Sequence, residues 1–359
     1  CIVLLMIFST TYAQHFGWLN YTNGDHVTDL LEDGNYVWAV TQAGLVKIDK
    51  ISGAPTFFNM ANSGLPSNWI LGIAIDSDGN KWIGTSAGLA KFHGTDWIIY
   101  DRSNSDLTEN YIESIAIDRV GNLWIGVHSG LFKFYGTNWT QYTTSNSGLP
   151  LNLVRSITLD NNGDLWFGTG NGIAKFDGAN WTTYTTSNSE LPYDNIQAIA
   201  FDKNDNIWIG AFDGLAKFDG TSWTGYSASN SELPSNQVYS VSIDNSDNVW
   251  IGTYRGLARF DGANWTTFTT ENSDLPFDYI YSILLDDSGN HWIGTYGGGL
   301  TKFDGANWTA CVTSNCGLPS NSVSSIVFDN NGDKWFATSG GVVRFDGVNW
   351  TVYTESNSD

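Results

Sequence analysis

An all-β fold is what this 359-residue chain predicts, on three observations. Rings and glycines are dense, with 17 Trp, 16 Tyr, 19 Phe and 39 Gly, as expected where many short strands bury aromatics and turn sharply between them. A Trp followed by a small or apolar pair, most often Ile-Gly, recurs at Trp38, Trp82, Trp124, Trp166, Trp208, Trp250, Trp292 and Trp335, at intervals of 42 to 44. Between these markers no stretch shows the 3.6-residue periodicity of a helix.

The elements follow in order. Residues 1–13 lie within CIVLLMIFSTTYAQ, an apolar run ending in Thr11-Tyr12-Ala13. It reads as the remnant of a signal peptide whose removal leaves Gln14 first, and the chain is expected to be truncated at both ends. The units fill 14–359 with no linker for a second domain. In the unit around Trp166, 153–160 (LVRSITLD), 164–169 (DLWFGT), 172–178 (GIAKFDG) and 180–186 (NWTTYTT) read as four strands, each bounded by Gly, Asn, Asp or Pro. Four strands per repeat of about 42 residues is the arithmetic of a β-propeller blade. The expectation is one β-propeller of eight four-stranded blades, the alternative being seven blades and an extra unit. A ninth copy of the outer-strand motif, WLNYT at 18–22, precedes the first unit, so the N-terminal and C-terminal segments are expected to meet in one blade.

The acidic stretch DNNGD at 160–164 recurs between the first two strands of nearly every unit. Its middle accepts Arg119-Val120 and Lys203-Asn204, which a cation site built from oxygen ligands would not. An Asp followed three later by Gly or Asp is instead hairpin-turn chemistry, the last residue tolerating positive φ. The Trp series reads as core between stacked blades. Gly84, Gly126, Gly168, Gly210, Gly252 and Gly294, two residues on, are expected to make room for a ring from the adjacent blade.

A net charge of −21 repels phosphate backbones and anionic membranes, so neither nucleic acid nor membrane insertion of this fragment is expected. The five histidines (His15, His26, His93, His128 and His291) show no metal-ligand spacing. His93 and His291 occupy slots filled elsewhere by Asp, or by Lys and Leu, and read as surface. No nucleophile elbow or phosphate loop occurs. No cofactor, metal or catalytic residue is expected, and the chain reads as a non-enzymatic monomer. Cys311 replaces a recurrent Tyr and Cys316 a recurrent Ser, five residues apart in one unit; in an exported protein they are expected to form a local disulfide.

With these residues in view, GLPSNSVSSIVFDNNGDKWFATSGGVVRFDG (317–347) and its relatives resemble two-component regulator propeller repeats. The shared pattern is a Leu-Pro turn, an apolar strand, Asp-x-x-Gly-Asn, Trp-Ile-Gly-Thr, then Gly-Leu-x-Arg/Lys-Phe. Leu-Pro stands at Leu65, Leu149, Leu191, Leu233, Leu275 and Leu318, and Leu107-Thr108 departs from it. The resemblance implies an extracytoplasmic propeller, often the ligand-sensing part of membrane histidine kinases and also found in secreted proteins. The implied location is periplasmic, extracellular or on the surface of a bacterium.

Because that pattern is scaffold, function is expected where units disagree, on the face shared by the loops joining strand four to one and strand two to three. The candidate binding residues there are Trp69, Tyr111, His128, Arg155, Tyr193, Phe212, Asp213, Tyr239, Tyr254, Arg255, Tyr279, Tyr281 and Tyr296, with Glu113, Gln197, Phe277 and Asp278 beside them. Rings mixed with ionic and amide groups suit an oligosaccharide or peptide. The competing readings are an adhesive scaffold for a protein partner, and a polysaccharide or lactone lyase using His128.

Overall fold

The structure, a computed structural model, describes residues 27–41, 44–286 and 288–354. The signal segment and the 18–22 motif lie outside the described residues. Among those described, thirty-two strands form eight four-stranded antiparallel meanders, with no helix. The blades are continuous stretches, 27–58, 70–100, 112–142, 154–184, 196–226, 238–268, 280–311 and 323–353. First strands of successive blades neighbour one another around the ring, blades four and five are joined by the cluster of Trp166, Ile196 and Ile199, and the first blade meets the eighth, so the chain is an eight-bladed β-propeller with its first strands innermost.

The turn reading of DNNGD holds and the acid does more than turn. In blade four, Asp160 Oδ1 accepts the backbone N–H groups of Asn162 and Asp164, while Oδ2 accepts the Trp166 indole N–H at 3.0 Å. The same Asp-to-indole bond recurs in all eight blades, from 2.9 to 3.2 Å. One carboxylate thus closes the turn and satisfies the sole polar group of a buried Trp. Asp205 and Asp247, standing where other turns have Gly, carry φ of 62° and 68°.

The blade Trp rings are covered on one side by their own blade, Trp292 excepted. Seven are covered by a nearly parallel ring from the outer strand of their own blade: Phe58 on Trp38, Tyr100 on Trp82, Tyr142 on Trp124, Tyr184 on Trp166, Tyr226 on Trp208, Phe268 on Trp250 and Tyr353 on Trp335. Centroids are 5.7–6.0 Å apart and planes 10–26° apart. The next blade adds the first residue of its second strand, buried Leu123, Leu165, Ile207 and Val249 packing with Trp82, Trp124, Trp166 and Trp208. The core is therefore a ring of clusters between blades.

Two expectations need correction. The glycine two residues after six of the Trp makes room for inner strands, its own blade's or the next one's, and not for a ring. A Cβ on Gly84 would sit 2.7 Å from Ile112, and one on Gly210 would sit 2.5 Å from Val238. His291 is buried, not on the surface. It occupies the position of Leu123 and Leu165 and stacks on Trp250 with centroids 3.9 Å apart. The expected meeting of the 18–22 motif with the C-terminal segment falls outside the described residues. The eighth blade supplies its own outer strand (Trp350–Tyr353), and all four slots of every described blade are filled. The ring closes by packing Leu30, Val37, Ala39 and Ile48 against Val327, Trp335, Ala337 and Val342. Buried Lys50 spans that seam, 2.6 Å from Glu32 and 3.8 Å from Asp329.

Candidate functional site

The loops from outer to inner strand share one frame. In blade three's loop, Asn146 accepts the Thr143 N–H and donates to Gln141 O, and Ser147 bonds the Thr143 carbonyl. Asn152 reaches back eight residues to the Thr144 N–H, and Leu149 is buried between blades. Equivalent bonds and a buried Leu recur around the ring, with Asn68, Asn110, Asp194, Asn236, Asp278 and Asn321 in the place of Asn152. Asp278 is thus part of the frame. Variable residues flank this anchor on both sides, held on a fixed platform.

A second device aims side chains. In blades two to eight the inner strand slips register by one residue at its start, and the extra residue is Leu71, Glu113, Arg155, Gln197, Tyr239, Tyr281 or Ser324. A bulged residue is freed from ladder pairing and its side chain is re-aimed. This explains why the position varies while its neighbours, Ile or Val and then mostly Ser, do not.

The variable face divides in two. In blades five to seven, six rings form one continuous cluster. Tyr279 lies at its centre, 4.7 Å from Tyr239, 4.9 Å from Tyr281, 5.0 Å from Tyr254 and 5.3 Å from Tyr296. Phe212 joins through Tyr239 at 5.8 Å. Burial, together with hydrogen bonding to Tyr239 and Tyr281, pushes the Tyr279 hydroxyl up, so it stays protonated. Tyr254 and Tyr296 are about half exposed, leaving their rings open to a ligand.

In blades three and four the face is ionic. His128 Nδ1 stands 3.4 Å from Glu109 and Nε2 stands 3.2 Å from Glu113, with the Tyr111 ring 5.2 Å away. Glu109 also accepts the Ser129 N–H at 2.6 Å. Burial pushes the Glu113 carboxyl up, while His128 and Arg155 pull it down. Arg155 donates to Asn195 at 3.4 Å, and Gln197 donates to the same oxygen at 3.5 Å.

The remaining candidates are Trp69, Tyr193, Arg255 and Asp213. Trp69 and Tyr193 are exposed on loops before blades two and five, and Arg255 is exposed beside Tyr254. Asp213 accepts from Asn236 of the next loop at 3.0 Å. Sequence reasoning passed over Glu109 and Asn195; the signal for Glu109 was present, since it follows the Leu107-Thr108 departure. Among the described residues no group of three or more His, Cys, Asp or Glu side chains is placed to hold a metal. No helix among them is long and apolar enough to cross a membrane. On the outer rim of blade seven Cys311 and Cys316 are disulfide-bonded, Cα atoms 5.6 Å apart.

Five segments, 64–87, 148–171, 190–213, 232–255 and 274–297, match the family model described as two component regulator propeller. No curated protein matches. Among solved structures, PorZ, a surface component of the type-IX secretion system of Porphyromonas gingivalis, is 17% identical, with a TM-score of 0.56 over 88% of this chain and 51% of that one. Virginiamycin B lyase of Staphylococcus aureus is 15% identical, with a TM-score of 0.55 over 79% of this chain and 94% of that one. The extracellular domain of a protein assigned as a hybrid two component system, from B. thetaiotaomicron, is 21% identical, with a TM-score of 0.48 over 92% and 51%. This chain spans about half to three fifths of the length of the first such structures it matches.

Proposed function

We propose, for a chain that carries two-component regulator propeller repeats, a non-enzymatic, exported binding module that takes an oligosaccharide or peptide on its variable face. The observation that carries this is the continuous cluster of six rings on loops and bulges of blades five to seven. Tyr rings present apolar faces for stacking and hydroxyls for hydrogen bonding at small entropic cost. The neighbouring Glu109, Glu113, His128 and Arg155 add charge selection. Export fits the apolar N-terminal run ending at Ala13 and a solved relative that is a surface component.

The test is calorimetric titration of the full chain with cellohexaose, laminarihexaose, mannohexaose and a set of soluble hexapeptides. One class is expected to saturate, and Tyr279→Ala with Tyr281→Ala to weaken it about tenfold or more. Binding that ignores both substitutions, or binding only to whole cells, supports the adhesive scaffold instead. A lyase would release products with a new carbon–carbon double bond, visible in ultraviolet absorbance and lost in His128→Ala.

A further inference from the structure

Blade seven breaks the aromatic rule that the other seven keep. Cys311 pairs with Leu300 in the register where Tyr184 pairs with Ile173, so the ring that should cover Trp292 is missing. The next blade withholds its contribution too. Where Leu123, Leu165, Ile207 and Val249 plug the gap, blade eight has Lys334, whose ammonium donates to the Gly332 carbonyl at 2.5 Å at the edge of the gap rather than filling it. Lys81, at the same position, makes the equivalent bond to the Gly79 carbonyl at 2.7 Å and also pairs with Asp33 at 2.5 Å. The two departures leave a cleft of about 450 Å³ between blades seven and eight, within the roughly 300–1,000 Å³ typical of small-ligand sites.

Its walls are Trp292, Cys311, Phe345 and Trp350, and Lys302 and Lys334 stand at its polar side. The Lys302 ammonium lies 6.0 Å from the Trp292 ring. Asp286 also borders the cleft, but its two oxygens are occupied by N–H groups of Ser288, Asn290 and Trp292. The cleft opens beside the turns that join strands one to two and three to four, away from the variable face.

We propose that this cleft binds a small flat-ringed carboxylate, its ring lying on Trp292 where the other blades place Phe or Tyr, and its carboxylate reaching Lys302 and Lys334. Ring stacking supplies attraction and shape, and two ammonium groups in a chain of net charge −21 supply selection for an anion. The Cys311–Cys316 bond holds the wall from which the ring was lost.

The probe is 4-hydroxybenzoate, which returns the missing phenol together with a carboxylate, titrated into the full chain by ligand-observed NMR. Saturable binding is expected, about tenfold weaker in Lys334→Leu and for benzyl alcohol, which lacks the anion. Cys311→Tyr with Cys316→Ser refills the space and is expected to abolish binding. Tyr279→Ala, on the other face, is expected to leave it unchanged. Absence of saturable binding to the unaltered chain overturns the proposal, as does undiminished binding to Lys334→Leu. The Lys334→Leu variant decides alone if the double variant does not fold, since Leu is native at that position in blades three and four.

Discussion

His291 makes the stability of this propeller sensitive to acid. The imidazole is buried against Trp250, 3.9 Å between centroids, with neither ring nitrogen hydrogen-bonded. Burial holds it neutral down to about 4, against a partial pull from Asp244, whose Oδ2 is 3.9 Å from Nε2. An unfolded chain takes that proton near pH 6.5. The folded pKa is depressed, so the contribution is fully present above about pH 6.5, declines as pH falls, and is gone below about pH 4. A displacement from 6.5 to about 4 corresponds to about 3 kcal/mol, most of which is lost by about pH 4.5. His291→Val places there the residue that blade six carries as Val249 and removes the titrating group. Urea unfolding of both proteins at about pH 7.5 and about pH 4.5 reads the difference. The unaltered chain should lose about 2–3 kcal/mol more than His291→Val across that interval. Equal losses would mean that the imidazole is hydrated or already charged in the fold, and the reasoning would fail.

Three further outcomes follow from the packing. Lys50→Met should cost about 3–5 kcal/mol in urea unfolding, because Glu32 and Asp329 would keep buried charge at the closing seam without their cation. Asp160→Ala removes both the turn acceptor and the Trp166 indole partner, and should cost about 2–3 kcal/mol by the same measurement while leaving the eight-bladed far-ultraviolet signature in place. Gly210→Ala should cost about 1–3 kcal/mol by overpacking, since its Cβ would lie 2.5 Å from Val238.

The blade count was legible because one buried Trp per blade is a physical requirement of stacking, and its spacing survives drift elsewhere. The turn was legible because Arg119-Val120 rules out a cation loop in one copy and the copies share a frame. His291 was misjudged because its slot holds Lys81 and Lys334 as well as Leu123 and Leu165. The slot is half-open by position, and which way it resolves depends on the blade in front of it. The ring-accepting role assigned to Gly84 and its equivalents failed for a similar reason, since a glycine signals close approach without naming what approaches. The bulge and loop positions could be picked out together, because they are where repeats disagree. The division of the variable face into a tyrosine half and an ionic half needed coordinates, since neighbours such as Tyr239 and Tyr279 come from different blades. The consequence of Cys311 was visible in part. Sequence marked it as a replaced Tyr, yet only the stacking geometry shows that a ring was owed to Trp292.

The seam between the first and eighth blades has a consequence for how such a chain can be rearranged. Every described blade is complete in itself, and none borrows a strand from the far end of the chain. Cutting the ring in any outer-to-inner loop and joining the present ends would therefore leave eight whole blades and move the opening elsewhere. By the same reasoning a gene segment encoding one repeat can be copied or removed in register without splitting a sheet. Circular permutants opened at the loops before blades three, five and seven should fold to the same eight-bladed ring and keep the Lys50 contacts with Glu32 and Asp329.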